Sequence, residues 1–202
     1  MSDIKLFELY DWENLNISDR GMAKYISLTP VVYPHTFGRH TKKHFGKSKL
    51  NLVERLVNKL MRGGTGTKLS GKVIRTHGKL QGKKTVSIRV VKDAFDIIAK
   101  KEKTNPIQVL ITAVENSAPR EEVTRVQFGG VFYQVAVDIA PSRRVDMSLR
   151  NIALATIMQS FNKKKTMAEA LAEELTMASK ADLNSYAVKK RDEVERMARG
   201  AR

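Results

Sequence analysis

The chain has no cysteine, 5 prolines, a single tryptophan and no long apolar run in its 202 residues. Without cysteine there is neither a disulfide framework nor a thiolate metal site. The longest uncharged apolar stretch, around Ile107–Val114, falls far short of the roughly 20 residues that cross a bilayer. Met1–Trp12 is acidic and lacks the apolar centre of a signal peptide. These absences predict an intracellular protein. Acids are scarce as well: between Arg39 and Lys84 there is one, Glu54, among fourteen Lys or Arg.

What is present is positive charge. The net charge is +16, from 37 Lys and Arg against 21 Asp and Glu. A field of that size attracts polyanions, most simply nucleic acid. A basic membrane-surface protein would need a strongly apolar helical face beside the basic region, and none accompanies it. The first twenty residues reverse the sign, with Asp3, Glu8, Asp11, Glu13 and Asp19 against Lys5 and Arg20. An acidic head on a basic body predicts that the head docks on protein and the body on phosphates.

Residues 1–34 read as an N-terminal extension. Phe7, Tyr10 and Trp12 leave two readings open: a partly ordered tail, or a segment anchored by its rings on a neighbouring protein or on this one. Residues 24–34 are β-branched and punctuated by Pro30 and Pro34, hence extended. Residues 35–49 form a basic arm in which Phe37 and Phe45 interleave with Arg39, Lys42, Lys43, Lys47 and Lys49, a pattern suited to ordering on a nucleic-acid backbone. His40 and His44 have the spacing of helical zinc ligands but no third ligand, so phosphate contact or solvation is the better account, and no metal is expected.

Residues 50–202 read as a helical domain. Leu50–Met61 is amphipathic, with Asn51 or Ser48 as cap and Arg55, Lys59 and Arg62 off the apolar face. Gly66–Val73 nearly spells a phosphate-binding loop. Val73 stands where a hydroxyl must bind magnesium, and a helix precedes the loop where the motif needs a strand. Residues 63–84 therefore read as a mobile Gly/Lys-rich loop laid along RNA, with Lys72, Arg75, Lys83 and Lys84 as contacts. A helix from about Ser87 to Glu102 carries the stripe Ile88, Val91, Phe95, Ile98 and Ala99. Asn105-Pro106-Ile107-Gln108 opens the next helix, with Gln108 reaching back to the cap.

Residues 120–140 predict a β-hairpin turning at Gly129-Gly130. Folding there pairs Phe128 with Val131, Val126 with Tyr133 and Thr124 with Val135, and turns Arg125, Gln127, Phe132 and Gln134 to the other face. An isolated ribbon is marginal in water, so helices hold its base and its end is free for a partner. A long helix capped by Ser142 follows, with Val145, Leu149, Ile152, Thr156, Ile157 and Phe161 inward. Arg143 and Arg144 are candidate RNA contacts, and Asp146 can pair with Arg150. Lys163, Lys164 and Lys165 fill a loop before the capping box Thr166–Glu169 and are candidate phosphate contacts of the RNA. In the last segment, Ser185–Arg199, Lys189, Lys190 and Arg191 face anions and Glu193 and Glu195 are free for a neighbouring protein. The sum is a mainly α protein: about six helices, one β-hairpin arm between helices three and four, and an extended N-terminal arm. No Ser/His/Asp set, Cys/His set or core carboxylate pair points to an enzyme, and no cofactor is implied.

The segments NPIQVLITAVENSAPREEVTRVQFGGVFYQVAVDIAPSRRV, KKTMAEALAEEL and YAVKKRDEVERMA resemble the S-seven family of small-subunit ribosomal proteins, in its archaeal and eukaryotic branch, most nearly the archaeal. The resemblance spans roughly residues 45–199. It implies a cytoplasmic, ribosomal protein that binds the 3′ major domain of small-subunit rRNA and nucleates assembly of the subunit head. By position it implies rRNA contact from the basic run Arg39–Lys49, Arg62, Arg125, Gln127, Arg143, Arg144 and Arg150. It also implies that the hairpin tip, Phe128, Gly129, Gly130, Val131 and Phe132, lies near the exit-site tRNA and the mRNA exit path. The last helix would lie near the S-eleven protein. The alternative is a sequence-specific DNA- or RNA-binding regulator, with the Arg143-Arg144 helix as recognition helix but no dimer seam to accompany it.

Overall fold

The computed structural model describes residues 4–69, 72–76 and 78–202, and of these the side chains of 65–69, 72 and 73 fall outside the description. Ser70, Gly71 and His77, and with them part of the Gly66–Val73 stretch, lie outside the described residues. Among those described, a one-turn helix α1 (Arg20–Ala23) and two 3-10 turns (Arg39–Lys42 and Gly46–Lys49) come first. Six longer helices follow: α2 (Leu52–Leu60), α3 (Lys84–Glu102), α4 (Pro106–Ser117), α5 (Pro141–Ser160), α6 (Met167–Ser179) and α7 (Tyr186–Gly200). One hairpin, β1 (Thr65–Leu69) with β2 (Lys72–Arg75), joins α2 to α3. A longer one, β3 (Glu121–Phe128) with β4 (Val131–Asp138), joins α4 to α5. It falls between the third and fourth of the longer helices, as the periodicity predicts.

Local chemistry starts most of these helices. Asn51 caps α2 by accepting from Val53 N, Asn105 caps α4 from Ile107 N ahead of Pro106, and Ser185 caps α7 from Val188 N. Thr166 and Glu169 close both halves of the capping box on α6. α5 departs from expectation: its N-cap is Ala140, with no side-chain bond, and Pro141 occupies the first turn instead of Ser142 acting as cap. α3 begins at Lys84, one turn before the predicted Ser87, so Val86 is helical but exposed.

α6 packs against α3, α4 and α5 at the centre of the bundle. Phe95, Leu110, Ile111, Leu149, Ile152, Leu171 and Leu175 are fully buried there, each such side chain contributing about 1.5–3 kcal/mol of apolar burial. Between α4 and α5 lies a buried polar pair, Ser117 Oγ and Ser148 Oγ at 2.6 Å. Ser117 donates to the Ala113 carbonyl, which leaves Ser148 as donor within the pair. Phe161, expected to widen the inward stripe of α5, is exposed instead.

One stretch read as a mobile loop is tied down, and of the two readings left open for the N-terminal extension the structure takes the one anchored on this chain. The 63–84 stretch is not a loop throughout, because it folds into the β1–β2 hairpin and buries Ile74 and Leu80 against Ile157 of α5. The acidic head docks on this chain's own helices. Leu6, Phe7, Met22 and Ile26 enter the main core. Asn16 exchanges two bonds with the Gln108 side chain, at 2.9 and 3.0 Å, so Gln108 pins the extension instead of reaching back to its cap. The Tyr10 hydroxyl donates to Asp96 Oδ1 at 2.5 Å, and burial together with that carboxylate pushes the phenol well above its ordinary pKa.

The long hairpin follows the predicted register, with Phe128 opposite Val131, Val126 opposite Tyr133 and Thr124 opposite Val135. Gly129 and Gly130 take φ of 58° and 84°, the positive values a two-residue turn of this hand requires. α7 packs on β3 at the base, where Glu121–Val123 are half-buried; the outer strands and the tip are exposed.

Candidate nucleic-acid interface

The basic arm is clamped at both ends by carboxylates. At one end Thr36 donates its N–H and its hydroxyl to Glu54 Oε1, each at 3.0 Å, and Lys84 Nζ reaches the same oxygen at 2.5 Å. Glu54 is 1% exposed. Burial opposes its charge, but Lys84 and the two Thr36 donors outweigh it and hold the carboxyl below its usual pKa. At the other end Lys47 pairs with Asp146, which also takes Arg55 at 3.2 Å and Lys59 at 3.4 Å. Burial works against Asp146 too, and the three cations win, lowering its pKa. Lys59 is lowered by its own burial and by the charges of Lys47 and Arg62, against the pull of Asp146. Between the clamps, Gly46 packs so closely on the His40 carbonyl that a Cβ there would sit 2.2 Å from its oxygen.

Three sequence expectations change at this point. Arg55 does not face outward: it is 2% exposed and donates to the Tyr25 carbonyl at 2.8 Å. Asp146 serves the arm instead of pairing with Arg150. Lys84, expected on RNA, is committed to Glu54. The common cause is that each partner is distant in sequence, beyond the reach of helical spacing rules.

At the foot of the long hairpin the two adjacent arginines part company. Arg143 is exposed and donates to Glu122 at 2.9 Å across to β3. Arg144 turns inward at 9% exposure, donating to Asp19 Oδ2 at 2.9 Å and to the Pro119 carbonyl at 3.2 Å. It fastens α5 to the N-terminal segment and offers little surface to RNA, contrary to the sequence reading. Burial raises the Asp19 pKa, but the hydrogen bond and charge of Arg144 bring it below normal. Arg150 remains exposed about two turns beyond Arg143 along α5, and Arg125 and Gln127 are exposed on β3 opposite Gln134 and Phe132.

Of the other expected contacts, Arg39, Lys42, Lys43 and Lys49 are exposed on the arm, Arg62, Arg75 and Lys83 around the short hairpin, and Lys163, Lys164 and Lys189 on the α5–α6 loop and α7. Lys72 lies in β2, and its side chain is outside the described residues. Lys165 pairs with Glu173, and Lys190 with Glu193 at 2.5 Å. Glu193 is therefore engaged, and Glu195 accepts from Arg120 N, so neither is left free for a neighbour as expected. Arg191 is likewise spent on Asp192 and the Asn116 carbonyl. Sequence reading missed a cleft of about 820 Å³ between the N-terminal segment, α4 and α7, into which Arg20, Arg120 and Arg199 contribute. No run or spacing links residues that far apart. Among the described residues no group of three His, Cys, Asp or Glu side chains is placed to hold a metal, and no helix is long and apolar enough to cross a membrane.

A compact helical scaffold whose exposed cations come from many separate elements, with one projecting ribbon, has the make-up of a protein that binds a folded nucleic acid by shape. Sequence comparison narrows that class. The chain belongs to the family described as ribosomal protein S7p/S5e, whose model matches residues 22–202. It is 46% identical over 197 residues to the small ribosomal subunit protein uS7 of Methanosphaera stadtmanae, covering 98% of each chain. The uS7 protein of Methanococcus maripaludis is 46% identical over 201 residues, 99% of this chain and 100% of the relative. That of Methanothermobacter thermautotrophicus is 43% identical over 196 residues, 97% and 98% of the two chains. These relatives are archaeal, and their alignments take in nearly the whole chain, whereas the family model begins only at residue 22.

Proposed function

We propose that this protein is a structural constituent of the small ribosomal subunit that binds its rRNA directly. The observation that carries the reading is the arm: Arg39, Lys42, Lys43 and Lys49 are exposed on a segment that Glu54 and Asp146 hold in place before any RNA arrives. Ordering the arm in advance removes part of the entropy that a flexible basic tail loses on binding.

In this reading residues 35–49 are the RNA-facing arm, residues 50–202 with the hairpin at 120–140 are the scaffold, and residues 1–34 are an extension whose described part, from Ile4 on, braces it. The RNA is the 3′ major domain of small-subunit rRNA, and binding nucleates head assembly. The exposed tip, Phe128 to Phe132, faces the exit-site tRNA and the mRNA exit path, and α7 lies toward the S-eleven protein. The protein works in the cytoplasm, on the ribosome. Arg62, Arg75, Lys83, Arg125, Arg143, Arg150, Lys163, Lys164 and Lys189 extend the phosphate-binding set, all of them exposed. The rival reading, a helix-turn-helix regulator, is weakened because the guanidinium of Arg144 is turned away from any groove that α5 could enter.

Each phosphate neutralised releases condensed counterions. If roughly ten are contacted, filter binding to a transcript of that rRNA domain loses about three or more decades of affinity between low and moderate salt. A nearly flat salt response rules the reading out. Co-sedimentation supplies the second check: the protein follows the small subunit through moderate salt, whereas a regulator stays in the supernatant.

A further inference from the structure

We infer that Phe37 and Phe45 are stacking platforms for unpaired bases of the bound RNA, an inference that rests on the rRNA-binding reading above. Both rings stand out from an arm that is otherwise polar, at 78% and 83% exposure. Neither packs on the core that takes in Leu6, Phe7 and Ile26 from the same N-terminal part of the chain. Each has a histidine imidazole beside it: His35 lies 4.2 Å from Phe37, tilted by 40°, and His44 lies 5.4 Å from Phe45, tilted by 49°. The Phe37 N–H also donates to His35 Nδ1 at 3.0 Å, which fixes the turn that presents the ring.

Both phenylalanines adopt φ of 52°, the left-handed region that bulky side chains rarely enter. Such a conformation persists where the surroundings over-determine it, and it gathers at ligand-binding segments. Here the surroundings are the two carboxylate clamps and the close packing of Gly46 on His40. The arm thus holds two apolar faces in water, at a conformational cost, with no apolar partner among the described residues.

Charge identifies the partner. From His35 to Val53 the chain carries Arg39, Lys42, Lys43, Lys47 and Lys49 and no acid. Cations alternating with open rings match a strand whose phosphates and base faces alternate. In an A-form duplex the base faces are stacked away, so the occupant is RNA with unpaired or splayed bases.

The test uses the full-length protein and a transcript of the 3′ major domain. The Phe37→Leu/Phe45→Leu double variant keeps apolar bulk but removes the π faces, and its thermal melt checks that it folds. The expected result is weaker binding, about 5- to 150-fold per ring, with the salt slope unchanged because no phosphate contact is lost. Phe37→Trp and Phe45→Trp, each made on Trp12→Phe, should keep the affinity, and their emission should be quenched as bases stack. Double-variant binding equal to that of the unsubstituted protein, or emission unmoved at saturation, overturns the inference alone. Failure of the unsubstituted protein to bind sinks this inference together with the functional reading.

Discussion

Lys84 and Lys42 are the same residue type in the same basic stretch, and the structure gives them opposite work. Lys84, Lys47, Lys59, Arg55 and Arg144 end on carboxylates, whereas Lys42, Lys43, Arg39 and Arg150 are exposed and reach none among the described residues. The first group turns a stretch poor in acids into a folded arm and a fixed hairpin foot. The second is what remains for phosphates. A chain at +16 therefore uses a few acids, above all Glu54 and Asp146, to decide which of its cations are structural.

The largest expected effect that breaks this contrast is Glu54→Ala. It strands Lys84 in a half-buried site and removes the acceptor of two Thr36 donors, costing about 3–5 kcal/mol, to be read from urea denaturation. Loss below about 1 kcal/mol would mean that the clamp does not hold. The pH dependence has a definite sign. Glu54 and Asp146 have lowered folded pKa values, so their contribution is present above the ordinary carboxylate range and is lost as pH falls through the folded values. Stability should drop in acid below about pH 4, and Glu54→Gln should flatten that limb of the urea midpoint against pH.

A smaller effect separates the neighbours at the hairpin foot. Arg144→Ala removes a buried donor set and should cost about 1–3 kcal/mol while leaving the slope of RNA affinity against salt unchanged. Arg39→Ala should do the reverse, shifting stability by less than about 0.5 kcal/mol and lowering the salt slope by about one. Equal behaviour of the two variants in both measurements would erase the distinction between structural and free cations. Phe45→Asn relieves a left-handed phenylalanine and should raise the stability of the free protein by about 1 kcal/mol, while weakening RNA binding.

Much of this was legible beforehand because it is local. The spacing of Leu56, Val57 and Leu60, or of Leu171 and Leu175, is a helical period, and Gly129-Gly130 between alternating strands admits one register. The free cations of the arm were legible for the same reason: nothing near them in sequence is acidic. The clamps were not. Asp146 meets Lys47 and Arg55 across 99 and 91 residues, and Arg144 meets Asp19 across 125, separations over which no spacing rule reports a contact. Nor was the short hairpin legible in a Gly/Lys-rich stretch, because what stabilises it is Ile157, far along the chain.

Sequence alone determined the six longer helices, the long hairpin and the sign of the partner's charge, since periodicity, turn chemistry and net charge are properties of neighbouring residues or of simple sums. Tertiary structure alone decided which arginines and lysines are available, because burial and ion pairing depend on what folding brings alongside each cation. It decided as well that the acidic head braces its own bundle, with Gln108 and Glu115 supplying acceptors that only the folded α4 presents.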